Sequence, residues 1–276
     1  MTHPELPSGK GAGDENFPVG SVLIAKRLRP HVACFYAFAR AIDDVADTAV
    51  LGAEEKIARL EGFAAALEND PPGPGYDKAV ALHHSLAATG VPTQHGHDLI
   101  SAFKQDAVKT RYADWAELMA YCNRSAAPVG RYLLDLHGED RAGWPASDAL
   151  CNALQVINHL QDCSEDARTL DRIYLPQDWM AEAGATDADL TQPALTPGLR
   201  QVLDRCLNGC EVLMDEARTL PGRLSSRRLA WESAVIVSIA ETLIARLRRL
   251  DPLATRVELS KPQALVAALK GLARAA

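Results

Sequence analysis

The segment from residue 35 to residue 47 carries several charged side chains within otherwise apolar sequence. At about 100° per residue, a helix there places Tyr36, Arg40, Asp43 and Asp47 on one face, with Asp44 at its edge. The rest of that helix is apolar or small, which is typical of a buried helix. Carboxylates this close together repel one another unless a cation neutralises them. We therefore expect this first acidic row, residues 36–47, to face an internal cavity and to bind a cation.

A second acidic row occupies residues 155–166. On an ideal helix, Gln155, Asn158, Asp162 and Asp166 lie within about 40° of one line. Glu165 lies three residues from Asp162 and so close to it on the same helix. The remaining sides of the segment are again apolar, which indicates a second buried helix with a polar stripe.

Two such rows in one chain predict two acidic walls that face each other. Carboxylate and amide oxygens, without histidine at metal-ligand spacing, favour Mg²⁺ over zinc or iron. Because Mg²⁺ completes its shell with water and phosphate oxygens, the walls imply a diphosphate substrate bridged by metal ions. The alternative interpretation is a solvated helix face in which Arg40 and Asp43 form an ordinary ion pair, but it leaves the other carboxylates unexplained.

The elements that must position these rows are helices. The 276 residues suffice for one large domain, Ala and Leu are abundant, and period-two β-branched alternation is nearly absent. We predict an all-α single domain. Its helices are expected, with ends good to about four residues, at 30–50, 54–69, 76–89, 93–110, 113–137, 146–168, 198–219, 225–250 and 261–274.

Composition and charge exclude several classes of protein. A net charge of -7 argues against binding nucleic acid through its phosphate backbone. No apolar run approaches the ~20 residues that a membrane-spanning helix needs. The six cysteines form no C-x-x-C pair, so we expect reduced thiols in a cytoplasmic protein. Residues 1–15 are polar and rich in Gly and Pro, which predicts a flexible tail.

Three segments carry a resemblance to a known family. They read YAFARAIDDVAD at 36–47, YCNRSAAPVG at 121–130 and NHLQDCSEDARTLDRIY at 158–174. With these motifs the chain resembles the squalene/phytoene synthase family, over most of its length from Asn16 to the last helices. The resemblance implies the isoprenoid synthase fold, a helical bundle around a deep central cavity, built by residues 16–276.

The resemblance also implies roles for individual residues. The Mg²⁺ ligands would be Asp43 and Asp47 from the first row and Asp162 and Asp166 from the second. Supporting groups at the metal site would be Asp44, Asn158 and Glu165. Contacts to the diphosphate would come from Arg40, Arg172 and Tyr174. The reaction cavity would be lined by Tyr36, Tyr121 and Gln155, with Asn16 and Phe17 also contacting substrate.

Within the family, residues 15–21, 104–112 and 125–131 resemble the bacterial members that act in hopanoid pathways. This branch converts presqualene diphosphate and water into hydroxysqualene and diphosphate, and Phe35, Phe38 or Tyr121 are candidates to stabilise the intermediate cation. The first alternative is a condensing synthase that makes presqualene diphosphate or phytoene from two allylic diphosphates. The second is an inactive helical scaffold. The expected partners are a prenyl diphosphate, a membrane surface contacted peripherally at its inner face, and other squalene-pathway enzymes, but no nucleic acid.

The remaining signals have structural explanations. The pairs His83–His84 and His95–His97 are expected in or beside surface turns, exposed to solvent. His159 is expected to point about 100° away from Asn158 and to serve packing, and Asp106 is expected to support a helix end. In the segment from Lys261 to Ala276, Leu265, Leu269 and Leu272 share one side. That helix is expected to pack on the core, with contact to a membrane surface as the alternative.

Overall fold

A computed structural model describes Pro4 and residues 23–275 of the chain. In this part of the chain, most residues lie in α-helices, as the sequence predicts. There are twelve α-helices and one short pair of parallel strands. The helices are α1 (Arg29–Asp47), α2 (Ala53–Leu67), α3 (Asp77–Thr89), α4 (Gln94–Asp106), α5 (Trp115–Ser125), α6 (Ala127–His137), α7 (Trp144–Thr169), α8 (Gln177–Glu182), α9 (Pro197–Ala217), α10 (Leu220–Arg223), α11 (Arg227–Leu247) and α12 (Lys261–Ala275). The strands are β1 (Arg111–Tyr112) and β2 (Ile173–Pro176).

The ends of the long helices follow from local sequence. Asp114, Thr196 and Ser226 each accept a hydrogen bond from a backbone N–H in the first turn of α5, α9 and α11. Pro145 and Pro197 occupy first-turn positions, where the N–H that proline lacks has no helical partner. These residues fix where α5, α7, α9 and α11 begin.

One helix predicted from the sequence is two separate helices in the structure. The segment predicted as a helix at 113–137 breaks at Ala126 into α5 and α6. Pro128 explains the break, because its ring cannot follow a helical turn and its nitrogen has no proton to donate. Likewise, the segment between 176 and 198, predicted without a helix, contains the short α8.

The apolar side chains form two hydrophobic clusters. One gathers α1 to α4 around Phe38 and Leu60, together with Tyr132 of α6. The other gathers α5, α7, α9 and α11 around Ile157 and Leu203. The row-bearing helices therefore belong to different clusters, α1 to the first and α7 to the second, and the space between them is where a cavity can form.

The histidine predictions are partly wrong. His95 lies in α4, is 2% exposed, and lies 2.9 Å from a carboxylate oxygen of Asp135, so burial and a partner replace the expected exposure. His84 is exposed on α3, as expected, whereas His83 is half-buried there and His97 pairs with Glu68. These residues serve packing and helix contacts outside the cavity.

The C-terminal helix packs on the core, as expected. The inner face of α12 places Ala267 and Gly271 against α11, and a Cβ on Gly271 would come 2.4 Å from the carbonyl oxygen of Ala234. Leu272 also packs against the second cluster. Leu265 and Leu269, expected on the same side as Leu272, instead point outward. Within residues 23–275, no helix is long and apolar enough to cross a membrane.

Candidate active site

A cavity of about 400 Å³ lies between the two hydrophobic clusters, a size typical of small-molecule sites. Both acidic rows face it, as the sequence predicts. From the first row, the lining residues are Tyr36, Arg40, Asp43 and Asp47. From the second row, they are Gln155, Asn158, Asp162 and Asp166. The functional roles assigned to these side chains remain predictions.

Most of the charged side chains of this cavity lie at one end, although Glu232 of α11 also lines the wall. On α7, Leu150 and Leu154 line the wall about 18 Å and 12 Å before Asp162, since each helical residue rises 1.5 Å. On α1, Val32 and Phe35 likewise precede Asp43. The cavity thus has an acidic end, at the C-terminal halves of α1 and α7, and an apolar end.

Arginine partners the first row. The Arg40 guanidinium lies 2.9 Å from Asp43 and 3.5 Å from Asp44. Asp44 is buried beside Arg40 rather than on the cavity wall. Burial raises the pKa of Asp43 well above its usual range, and the nearby charge of Asp47 raises it further while Arg40 opposes the shift. The Asp43 carboxylate therefore holds its charge at a cost that a cation would relieve.

The second row also contains a carboxyl group with a raised pKa. Burial, and then the charges of Asp162 and Asp47, raise the pKa of Asp166 to about 7. Asp162 pairs with Arg256, whose Nε lies 3.0 Å from a carboxylate oxygen. Glu165, expected to support this site, is exposed and does not line the cavity.

The two strands position a buried arginine at the acidic end. Arg172 directly precedes β2, and its Nη1 donates to Asp47 at 2.9 Å, which links the two clusters. Its Nη2 donates to the backbone oxygen of Asp106, and Tyr174 lies 3.2 Å from Nη1. Since nearby Tyr174, Asp106 and Asp47 favour the charged form and outweigh burial, the pKa of Arg172 is raised and its charge is fixed.

A tyrosine cluster joins the same end. Tyr121 donates to Asp106 at 2.7 Å, and its ring packs against Tyr174. Asp106 does end α4, as expected, but it also lines the cavity, and burial raises its pKa to about 7. The Asp106 carboxyl group thus fixes the orientation of the Tyr121 hydroxyl at this end of the cavity.

Several cavity residues were missed or misread from sequence. His159 lines the cavity and stacks on Tyr174, with ring centroids 3.5 Å apart, because α7 packs closely enough against β2 to bring its neighbouring face to the wall. Burial, with the Arg172 charge, lowers the pKa of His159 to about 3, so the imidazole is neutral. Phe38, a candidate to stabilise a cation, instead packs inside the first cluster against Phe63.

Two further residues had weaker signals. Arg256 lies 94 positions from Asp162, so no local sequence pattern predicts that they form an ion pair. Glu232 is a buried carboxyl group on the cavity wall, near Leu229 and Ile236, and its place within an apolar run of the sequence is the signal that could have identified it. Asn16 and Phe17, expected to contact substrate, lie outside the described residues.

The acidic end has the chemistry that a divalent metal requires. Its carboxyl groups come from two helices and face one cavity, and burial raises the pKa of Asp43 and of Asp166. Within residues 23–275, however, no three His, Cys, Asp or Glu side chains converge on one metal-sized point. The carboxylates instead turn toward Arg40, Arg172 and Arg256. A metal ion therefore fits the donor set, provided that these side chains rotate away from their arginine partners.

The family model, the similar proteins and the similar solved structure all indicate the same family. The family model for squalene/phytoene synthase matches residues 11–263. The hydroxysqualene synthase of Rhodopseudomonas palustris is 42% identical over 267 residues, 95% of this chain and 89% of that protein. The hydroxysqualene synthase of Zymomonas mobilis is 42% identical over 262 residues, covering 94% and 88%. A squalene synthase structure from Alicyclobacillus acidocaldarius superposes with a TM-score of 0.73 at 33% identity, covering 84% of this chain and 87% of that one.

Proposed function

Since the chain belongs to the squalene/phytoene synthase family, we propose that it acts as a hydroxysqualene synthase. In this reaction presqualene diphosphate and water give hydroxysqualene and diphosphate. The observation that supports the proposal most directly is that both acidic rows line one end of the same cavity, whose other end has apolar walls. Such a cavity matches a substrate with a charged head and a long hydrocarbon body.

The charged head would bind at the acidic end. Arg40 and Arg172 present guanidinium groups there, whose several donors suit phosphate oxygens. Bound Mg²⁺ would be held by Asp43, Asp47, Asp162 and Asp166, with Asn158 in support, and would neutralise the diphosphate as it leaves.

Cleavage then breaks the bond between the substrate carbon and the diphosphate oxygen, and the electron pair leaves with the oxygen. The remaining hydrocarbon cation rearranges beside the rings of Phe35 and Tyr121, whose faces attract positive charge. One water adds through an oxygen lone pair, and its proton passes to the departing diphosphate. Leu150, Leu154 and Ile236 exclude other water from the cation.

The proposal extends to location and partners. A substrate with so much hydrocarbon resides in a bilayer, so the enzyme would contact the inner membrane face peripherally from the cytoplasm. It would also be coupled functionally to the squalene-pathway enzymes that supply the substrate and consume the product.

The test is product analysis. Purified protein, Mg²⁺ and presqualene diphosphate, mixed without reductant, should yield the alcohol by mass spectrometry. Asp43→Asn and Asp162→Asn should each lower turnover by about a hundredfold or more, since each removes transition-state charge stabilisation. Asp70→Asn, at an exposed position between α2 and α3, is the matched control.

Other outcomes identify the alternatives. Presqualene diphosphate or phytoene, formed from farnesyl or geranylgeranyl diphosphate alone, would indicate a condensing synthase instead. Absence of any product, together with no calorimetric binding of Mg²⁺ and pyrophosphate, would indicate an inactive scaffold.

A further inference from the structure

The outer face of α12 is apolar although nothing in the described chain covers it. Leu265, Val266 and Leu269 are 61%, 51% and 57% exposed. On an ideal helix they lie within an arc of about 100°, which also contains the exposed Pro262 and Ala273. The opposite side of the helix is seated on α11, so packing within the domain does not require this outer face to be apolar.

The charged side chains of α12 itself have one sign. Lys261 and Lys270 are exposed and lie about 40° beyond its two borders. Neither lysine forms an ion pair with the described residues. The sequence of α12 contains no acidic residue, although the chain as a whole has a net charge of -7. An apolar strip with cationic borders complements a bilayer surface that contains anionic lipid.

The position of α12 relates this face to the cavity. The segment that leads into the helix is fixed to the acidic end, where Arg256 pairs with Asp162 and Gln161 donates to the carbonyl oxygen of Val257. Only three residues separate Val257 from Lys261, so the helix begins within about 14 Å of that attachment. A bilayer in contact with α12 would therefore lie close to the charged end of the cavity.

We propose that the outer face of α12, formed by Leu265, Val266 and Leu269 between Lys261 and Lys270, binds an anionic lipid surface. A second copy of this chain fits the face less well. A symmetric contact would bring the lysines of both copies together, and three apolar side chains are a small part of a stable dimer interface. The proposal rests on the proposed function only in supposing that the substrate is a lipid.

Vesicle flotation without Mg²⁺ or substrate tests the proposal independently of catalysis. The protein should float with vesicles of phosphatidylcholine and phosphatidylglycerol in a 3:1 ratio, and much less with phosphatidylcholine alone. The combined variant Leu265→Ser, Val266→Ser, Leu269→Ser should lower the partition coefficient at least tenfold. Val212→Ser, at a 71% exposed position on α9, is the matched control and should leave it unchanged.

A second variant separates charge from apolar contact. Lys261→Gln with Lys270→Gln should weaken binding about twenty-five-fold at low salt, at about fivefold for each lysine near an anionic surface. The same variant should show little further loss in 0.5 M NaCl, where wild type also weakens. Circular dichroism checks that both variants fold, which is expected because every substituted side chain is exposed.

Three results would overturn the proposal. These are no flotation of wild type with either vesicle, equal flotation of wild type and the triple-serine variant, and a wild-type dimer in light scattering that this variant converts to a monomer. With active enzyme, the variant should keep its rate on substrate in detergent micelles and lose rate on substrate delivered in vesicles. If the protein is inactive but binds vesicles as expected, the result contradicts the proposed function and not the membrane-binding proposal.

Discussion

At the residue scale, the acidic end is a set of carboxylates whose charges are balanced by arginine. Asp43 is paired with Arg40, Asp47 with Arg172, and Asp162 with Arg256. A divalent cation must compete with these guanidinium groups and, where the pKa is raised, with protons. The site is thus expected to respond to pH and to metal concentration together.

Mg²⁺ binding should strengthen as pH rises from 6 to 8. Because the pKa of Asp166 is raised to about 7, the proton that it carries at pH 6 must leave before the carboxylate can bind a metal. Calorimetry with pyrophosphate, in two buffers of different ionisation enthalpy, should detect proton release. Asp166→Asn should weaken binding and flatten its pH dependence, whereas Glu165→Gln, at the exposed neighbouring position, should do so far less. Binding independent of pH in wild type would contradict the prediction.

The buried imidazole of His159 should make the fold sensitive to acid. Its pKa is about 3 in the folded protein against 6.5 for the ordinary side chain, so the unfolded chain binds more protons between these values. The free energy of unfolding therefore decreases as pH falls below about 6.5. His159→Phe removes this contribution. Between pH 7.5 and pH 5, its free energy of unfolding in urea should therefore rise by about 2 kcal/mol relative to that of wild type. An equal pH dependence in both proteins would show that the imidazole is accessible to protons.

At the element scale, sequence periodicity predicted what lies on each long helix but not how neighbouring elements meet. The rows on α1 and α7 could be found because a helix repeats its face every three to four residues. The strand pair could not, because β1 has two residues and its partner lies more than sixty positions away. His159 was misread for a similar reason, since its exposure to the cavity depends on where β2 packs. The pairing of Arg256 with Asp162 likewise requires the tertiary path of the chain.

Close packing of α12 on α11 should depend on the absence of a side chain at Gly271. A Cβ there would lie 2.4 Å from a backbone oxygen, which cannot move aside as a flexible side chain can. Gly271→Ala should therefore lower the free energy of unfolding by about 1–3 kcal/mol and expose α12 to limited proteolysis. Gly222→Ala, whose added Cβ meets nothing within 4 Å, is the control. Unchanged stability and protease resistance in Gly271→Ala would mean that α12 is not held in this way.

At the scale of the whole molecule, the cavity is the boundary between two cores. The first cluster contributes α1 and the second contributes α7, and Arg172 bridges them through Asp47. Any ligand that binds both acidic rows therefore holds the two clusters together, and its binding energy adds to the stability of the fold.

Hydrogen exchange should reveal this coupling. Mg²⁺ with pyrophosphate should slow amide exchange in peptides from both α1 and α7. Peptides from α3 and α9, neither of which contributes a described residue to the cavity wall, should change much less. Protection confined to one of the two row-bearing helices would mean that the ligand does not span the boundary.

The segregation of charge to one end of the cavity also bears on how the two products depart. Once the carbon–oxygen bond has broken, the alcohol keeps a hydroxyl but no charged group for Arg40, Arg172 or the aspartates, and most of its affinity comes from the apolar walls. The inorganic anion, by contrast, keeps every polar contact that the intact substrate had. The neutral lipid is then expected to leave by transfer of its hydrocarbon to another apolar phase, whereas the pyrophosphate and its metal ions leave only when the polar contacts of the acidic end break.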